Sequence, residues 1–352
     1  MENANKTVEK SLKDSPRIYE RRRIPVIDAS EELSNLCVAR NSDNILVGSE
    51  KGCYLLSLER ESVISSYKDD NGAELKEVPT AIFNAENDNL ISLASDNIVL
   101  CYDIRQSSSS RPVLSFKENS DEINQLSSSG TQLAACDDSG EVKIYDIAAN
   151  KLFRTLRNKH KNICSTVCFR SSNTKELLSG SLDCQLILWD YSKIKVLFSS
   201  STQEVFQVTD GDNSNYMVNP PLINVVDCTG DGQIAACGLG NGSIVLYEVT
   251  KGRKLKPFNI LRHHSSLGTS CLEIFEFGGS RYLLSGGNDC KVKIDEVSLN
   301  KDIENGVESE LFCSNLQLPS KINHLTAFSQ NEKMFSLVCD QSSEVILLEI
   351  ST

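Results

Sequence analysis

One pattern recurs seven times along this chain, and it restricts the possible folds more than any other feature. A short apolar strand ending in small residues leads through a polar turn into a second, alternating strand that closes on an aromatic and an acid. The clearest copy is LLSGSLDCQLILWD at 177–190, repeated as AACDDSGEVKIYDI at 134–147, SLASDNIVLCYDIR at 92–105, AACGLGNGSIVLYEV at 235–249 and LLSGGNDCKVKIDEV at 283–297. Weaker copies flank these at 46–59 and 336–350. Counted on the acidic anchor, the copies fall at Leu58 (where the acid is lost), Asp103, Asp146, Asp190, Glu248, Glu296 and Glu349, at intervals of 45, 43, 44, 58, 48 and 53 residues. Apolar and polar residues alternate within them, and Val, Ile, Leu and Tyr dominate, so the segments read as strands. No stretch sustains a helical period.

A period of about 40–45 residues, with four short strands per unit, predicts an all-β, seven-bladed propeller. Each blade needs four strands and the anchor ends the third. Only Ile350, Ser351 and Thr352 follow Glu349, so the seventh blade lacks its fourth strand. The apolar piece Ile24-Pro25-Val26-Ile27 is expected to supply it, which pairs the chain ends and removes open edges. Pro25 is tolerable there because an outermost strand has one unpaired side. The expected organisation is a propeller over 21–352 closed by this N-terminal strand, after a flexible polar tail over 1–20. Arg21-Arg22-Arg23 reads as a solvated strand flank rather than a nuclear import signal. The two longest intervals place insertions near 200–221 and near 300–318. Such loops either carry recognition or are neutral padding.

Composition narrows the function classes. Lys plus Arg number 36 against 48 Asp plus Glu, a net charge of −12, which argues against a duplex-DNA binder. No apolar run is long enough to span a bilayer, and the first residues lack an apolar leader. The expectation is therefore an intracellular protein, cytoplasmic or nuclear or both, with no membrane and no nucleic-acid partner. Thirteen cysteines lie mostly inside apolar strands, with no Cys-x-x-Cys. They read as reduced thiols packed as small hydrophobes.

No site template for a metal or cofactor is complete. Gly238-Leu-Gly-Asn-Gly242-Ser lacks the third glycine of a dinucleotide loop, and no helix follows it. Asp210-Gly-Asp212-Asn-Ser214 resembles the start of a calcium loop, but Asn215 and Pro221 stand where Gly and Glu are needed. The four histidines, His160, His263, His264 and His324, fall in separate units apart from the adjacent pair, and read as capping or covering residues. No cofactor and no metal are expected.

The seven units resemble the WD-repeat superfamily over roughly residues 24–352, and the stretches 121–128, 137–147, 160–170, 218–222 and 285–294 resemble one branch of it. The resemblance changes the reading of His160, Ser179, Asp183 and Trp189. Taken alone these form a Ser-His-Asp set. In WD repeats residues at this spacing form a structural tetrad, in which the indole N–H donates to the serine hydroxyl and both Ser and Asp are tied to the His. Burial of such a network demands that its polar atoms be paired, whereas a nucleophile needs an exposed hydroxyl and an oxyanion site. The other units keep fragments. Unit six has Ser285 and Asp289, with His263 or His264 as partner, and Asp295 in place of the aromatic.

The resemblance implies one functional hook. Substrate receptors of cullin-4 ubiquitin ligases often end a WD repeat in Asp-x-Arg, which docks on the large subunit of the DNA damage-binding protein, a triple-propeller adaptor. Tyr102-Asp103-Ile104-Arg105 matches that ending. Asp103 can accept backbone N–H groups at the turn, and Arg105 lies on the same side of the chain and can make bidentate contacts. The acid recurs in most units for structural reasons, so Arg105 is the discriminating residue. Its counterparts are Ala148, Ser192, Thr250, Ser298, Ser351 and Arg60, and Arg60 lacks the acid. The reading is a non-catalytic scaffold that receives a protein substrate for such a ligase and is monomeric outside it. The alternative is a propeller scaffold or peptide-binding module unrelated to ubiquitination. A propeller enzyme would need clustered carboxylates or a metal at the channel mouth, for which the sequence gives no sign.

Overall fold

A computed structural model describes residues 16–26, 31–40, 43–106, 111–170, 175–210, 219–299 and 314–351. Within them the chain forms seven four-stranded antiparallel sheets, six of them simple meanders of consecutive strands and the seventh completed by the first strand of the chain. Blade four is representative: its strands are Cys164–Phe169, Glu176–Ser181, Gln185–Asp190 and Lys195–Ser201. The first strands of neighbouring blades contact one another around the axis, with the last returning to the first, so they form the inner wall of a closed ring. Short runs of β-branched and aliphatic residues, interrupted by polar turns, leave no other economical way to bury both faces of seven sheets.

The seventh sheet is closed by the chain's N-terminal strand, but not over the span that the sequence suggests. The strand is Arg17–Pro25, pairing in register from Arg17 opposite Ser351 to Pro25 opposite Glu344. The boundary placed at residue 20 is therefore corrected: 17–20 are part of the ring. The remainder of the proposed tail, 1–15, and Ile27 lie outside the described residues. The cause is a bulge between Glu20 and Arg22. Ile18 and Ile24 are an even number apart and would share a face in a regular strand. The bulge moves them to opposite faces, where Ile18 joins the core between blades six and seven and Ile24 the core between seven and one. The three arginines between them pair outward, Arg21 with Glu349, Arg22 with Glu61 and Arg23 with Glu20.

The cores lie between blades, not within them. Leu178, Leu186 and Leu188 of blade four pack on Val226, Cys237, Val245 and Tyr247 of blade five. That interface closes so tightly that a Cβ on Gly180 would stand 2.5 Å from Ile223 Cγ2 and 2.7 Å from Thr166 Cγ2. A ring of side-chain hydrogen bonds holds the inner wall, with at least one at each of the seven interfaces. Asn35 Oδ1 accepts Ala81 N–H at 2.9 Å, Thr80 Oγ1 accepts Leu126 N–H at 3.3 Å and Gln125 Oε1 accepts Val167 N–H at 2.9 Å. Thr166 Oγ1 accepts Val226 N–H at 2.9 Å, Asp227 Oδ2 accepts Ile274 N–H at 2.8 Å and Glu273 Oε2 accepts Ala327 N–H at 2.8 Å. Asn323 Nδ2 closes the circle by donating to Leu33 O at 2.8 Å.

The meander gives the ring two distinct ends. One carries the turns joining first to second and third to fourth strands. The other carries the second-to-third turns and the connections between blades. The first insertion belongs to the latter end: it contains a helix over Thr202–Asp210, with Phe206 buried against the core between blades four and five. The second is corrected at its end, because 314–317 are the fourth strand of blade six and not loop. Residues 300–313 lie outside the described residues. No described helix is long and apolar enough to cross a membrane.

Candidate functional site

Asp103 ends the third strand of blade two, Ile98–Asp103, where it pairs with Leu90. The chain turns immediately, with Gln106 N–H donating to Asp103 O at 3.1 Å. Asp103 Oδ1 accepts Arg105 N–H at 3.0 Å, which fixes the turn as the sequence suggests. The Arg105 side chain folds back on the same carboxylate, Nε to Oδ1 at 2.9 Å and Nη2 to Oδ2 at 2.6 Å. This fork holds the Asp103 carboxyl below its ordinary value and raises the arginine. The Asp103 side chain is 17% exposed and that of Arg105 66%, so the carboxylate anchors and the guanidinium presents. On the same end Arg40 pairs with Asp88 at 3.2 Å and donates to Asn84 O. Beside Arg40 a cavity of about 640 Å³ opens between blades one and seven, with Asp43, Gln330, Cys37 and Glu273 in its wall. Burial, and then the charge of Asp227, push the Glu273 carboxyl up to about 8, against the hydrogen bond from Ala327 N–H.

The opposite mouth of the channel is a cavity of about 420 Å³ bordered by Glu32, Glu50 and Glu77 on one side and by Asn224, Asn288 and Lys321 on the other.

The apparent catalytic set is brought together and consumed within its blade. Trp189 Nε1–H donates to Ser179 Oγ at 2.8 Å, and Ser179 Oγ lies 2.7 Å from His160 Nε2. His160 Nδ1 faces Asp183 Oδ1 at 3.4 Å, and Asp183 Oδ2 accepts Lys161 N–H at 2.8 Å. Ser179 is wholly buried, with its lone pair and its proton both engaged, so it offers no nucleophile to solvent. Burial raises the Asp183 carboxyl, but the hydrogen bonds from His160 and Lys161 outweigh it and hold the group at about 2.

Blade six builds the same frame with a different last member. His264, not His263, takes the histidine place, its Nδ1 2.9 Å from Asp289 Oδ1 and its Nε2 3.1 Å from Ser285 Oγ. Asp295 sits opposite Leu283 as Trp189 sits opposite Leu177, so it occupies the indole's register position. It is fully buried, and His263 Nε2 lies 3.1 Å from its Oδ2. Burial lowers His264 to about 4. Blade three, read as a fragment from sequence, has a reworked network. Tyr145 O–H donates to Asn119 Oδ1 at 2.7 Å, and Asn119 Nδ2 donates to Asp137 Oδ2 at 2.9 Å. Tyr145 stands where Trp189 does and Asn119 does the work of the histidine.

Among the described residues no group of three His, Cys, Asp or Glu side chains could hold a metal ion. The calcium-like stretch falls largely on 211–218, outside the described residues.

A family model described as "WD domain, G-beta repeat" matches residues 110–146 and 150–190. Each match begins at or near the fourth strand of one blade and ends with the third strand of the next, so the sequence repeat and the structural blade are one strand out of phase. The chain is also 33% identical over 283 residues to "WD repeat-containing protein 53 homolog" of Dictyostelium discoideum, covering 72% of this chain and 75% of the relative. The chain belongs to the WD-repeat family. It is a WD-repeat propeller, a scaffold of the kind that serves protein interactions. The inner-wall hydrogen bonds are the residues that the repeat reading misses. Their trace in sequence is a polar residue in or beside each first strand, such as Asn35, Thr80, Thr166 and Asp227, which nothing distinguishes from the other polar residues of those strands.

Proposed function

We propose that this WD-repeat protein is a non-catalytic substrate receptor of a cullin-4 RING ubiquitin ligase, docking through Asp103 and Arg105 on the large subunit of the DNA damage-binding protein. The observation that carries the reading is the clamped, outward-facing Arg105 guanidinium. Of the seven third-strand ends, this one alone combines the acid with an arginine two residues on. Asp103 is the positioning residue: it fixes the guanidinium plane before binding, so less side-chain entropy is lost on contact. Arginine held in this way is a common interface anchor. The insertion carrying the Thr202–Asp210 helix projects from the opposite end of the ring, which leaves that end free for a substrate. The setting is intracellular, and no membrane or nucleic acid enters the reading.

Affinity capture from a cell lysate tests it. Wild type and an Arg60→Ala control should retain the adaptor and cullin, while Arg105→Ala should lose both with an unchanged thermal melt. Capture that ignores Arg105, or no capture at all, would refute the docking role. A second reading, a peptide-binding scaffold outside ubiquitination, is favoured by the cavity bordered by Glu32, Glu50 and Glu77, which suits a basic segment. It would survive that refutation.

A further inference from the structure

Two thiols meet on the inner wall where blades four and five join. Cys168 lies in the first strand of blade four and Cys228 ends the first strand of blade five, Ile223–Cys228. Their Sγ atoms are 3.5 Å apart. The strands that carry them are pinned two residues earlier by the Thr166 Oγ1 to Val226 N hydrogen bond. Cys228 Sγ sits 3.3 Å from both Phe169 O and Arg170 O, and Cys168 Sγ lies 3.6 Å from Asp227 Oδ1. Both cysteines are partly accessible, whereas Cys136 and Cys164 are buried.

We propose that Cys168 and Cys228 are a modification site, a dithiol that two-electron oxidants such as peroxides close into a disulfide joining blades four and five. The bond needs an S–S distance of about 2.05 Å, so the sulfurs approach by roughly 1.5 Å. In the first step one thiolate attacks a peroxide oxygen. The O–O bond breaks, a sulfenic acid forms and the departing hydroxide takes up a proton as water. The second thiol then displaces the sulfenic oxygen as another water while the S–S bond forms. Two thiols and one hydrogen peroxide give one disulfide and two waters, with sulfur oxidised and peroxide reduced by two electrons.

The surroundings set the rate. The neighbouring Cys228 thiol, burial and the Asp227 charge all push the Cys168 thiol well above its ordinary value. Thiolate is scarce at neutral pH, so closure is slow there and speeds up as pH rises. Closure also removes the Cys168 S–H that faces Asp227, whose other oxygen holds blade six through Ile274 N–H. The modification thus reaches three consecutive blades.

The test uses the reduced, full-length chain treated with hydrogen peroxide at pH 7 and pH 9, then alkylated and digested without reductant. The expected product is a single linked peptide pair containing Cys168 and Cys228, two hydrogens lighter than the free thiols. It forms faster at pH 9, is reversed by dithiothreitol and raises the melting temperature. Cys168→Ser and Cys228→Ser, each checked by melting before treatment, should lack the product and the rise. The proposal is overturned if both thiols stay open to alkylation in treated wild type. It is equally overturned if they are oxidised separately to sulfinic acids, or linked to other cysteines such as Cys136 or Cys164. The wild-type mapping decides the matter even where a variant folds poorly.

Discussion

Blades four and six share a frame and differ at one position, which shows what that position does. In both, a histidine bridges a second-strand serine and a turn aspartate: His160 with Ser179 and Asp183, His264 with Ser285 and Asp289. In blade four Trp189 completes the set, adding a large apolar surface and a donor aimed at the serine. In blade six Asp295 brings a buried carboxyl group whose neighbour is the extra histidine, His263, with Nε2 3.1 Å from Oδ2. The serine–histidine–aspartate link survives loss of the indole, so it is a separable module. The indole contributes packing and one hydrogen bond, whereas the carboxyl group adds buried polar atoms that need partners.

This contrast predicts a large asymmetry on truncation. Trp189→Ala should cost about 3–5 kcal/mol, from the lost ring and the orphaned Ser179 lone pair. Asp295→Ala should cost much less, since it removes a far smaller side chain with little apolar surface. Denaturant titration of both variants measures the difference, and equal losses would break the comparison.

Acid should attack the two blades at different pH. His264 has a folded value of about 4 against an ordinary 6.5, so the unfolded chain takes up its proton first as pH falls. Stability is therefore present above pH 6.5 and lost between 6.5 and 4, by about 3 kcal/mol for a shift of this size. Burial also lowers His324 to about 4, so it adds to the same window. Asp183, held at about 2, loses its contribution only between about pH 4 and pH 2. His264→Gln should flatten part of the stability profile between pH 6.5 and 4. An unchanged slope would remove His264 from the account.

Two smaller effects sharpen the picture. Gly180→Ala should cost about 1–3 kcal/mol through overpacking, because Ile223 and Thr166 belong to first strands fixed in the inner wall and cannot both withdraw. A melt within a degree of wild type would show that the blade four–five interface yields. Asp295→Asn should change stability by no more than about 1 kcal/mol, because it keeps the size and shape of the side chain beside His263. A loss comparable to that of Trp189→Ala would mean that His263 and Asp295 hold blade six together.

The seven blades and their closure were legible in the sequence because alternation, turn residues and anchors repeat with one period. The closing strand was misjudged because its bulge inverts the alternation between Ile18 and Ile24, and the charged run Glu20–Arg23 hides a strand that is outermost and mostly exposed. The choice between His263 and His264 was beyond a reading by spacing alone, since one residue separates them. Blade three's network escaped because Asn119 and Tyr145 replace the expected residue types while keeping the geometry. Six of the seven inner-wall hydrogen bonds join residues about 40 to 60 positions apart, from Asn35 and Ala81 to Thr166 and Val226, the seventh joins Asn323 to Leu33 across 290 positions, and only closure of the ring brings them together. Arg105 stood out as an unusual residue at a repeated position. Its fork onto Asp103 emerged only from the turn geometry.

The central functional claim, that Arg105 held by Asp103 is the docking anchor, is most directly tested by titrating the purified chain into the purified large subunit of the DNA damage-binding protein. Wild type and Arg60→Ala should bind equally. Arg105→Ala should weaken binding by at least about tenfold, the loss of 1.4 kcal/mol or more expected of an interface anchor. Asp103→Asn should weaken it by less. Undiminished binding by Arg105→Ala, or no binding by wild type, would contradict the account.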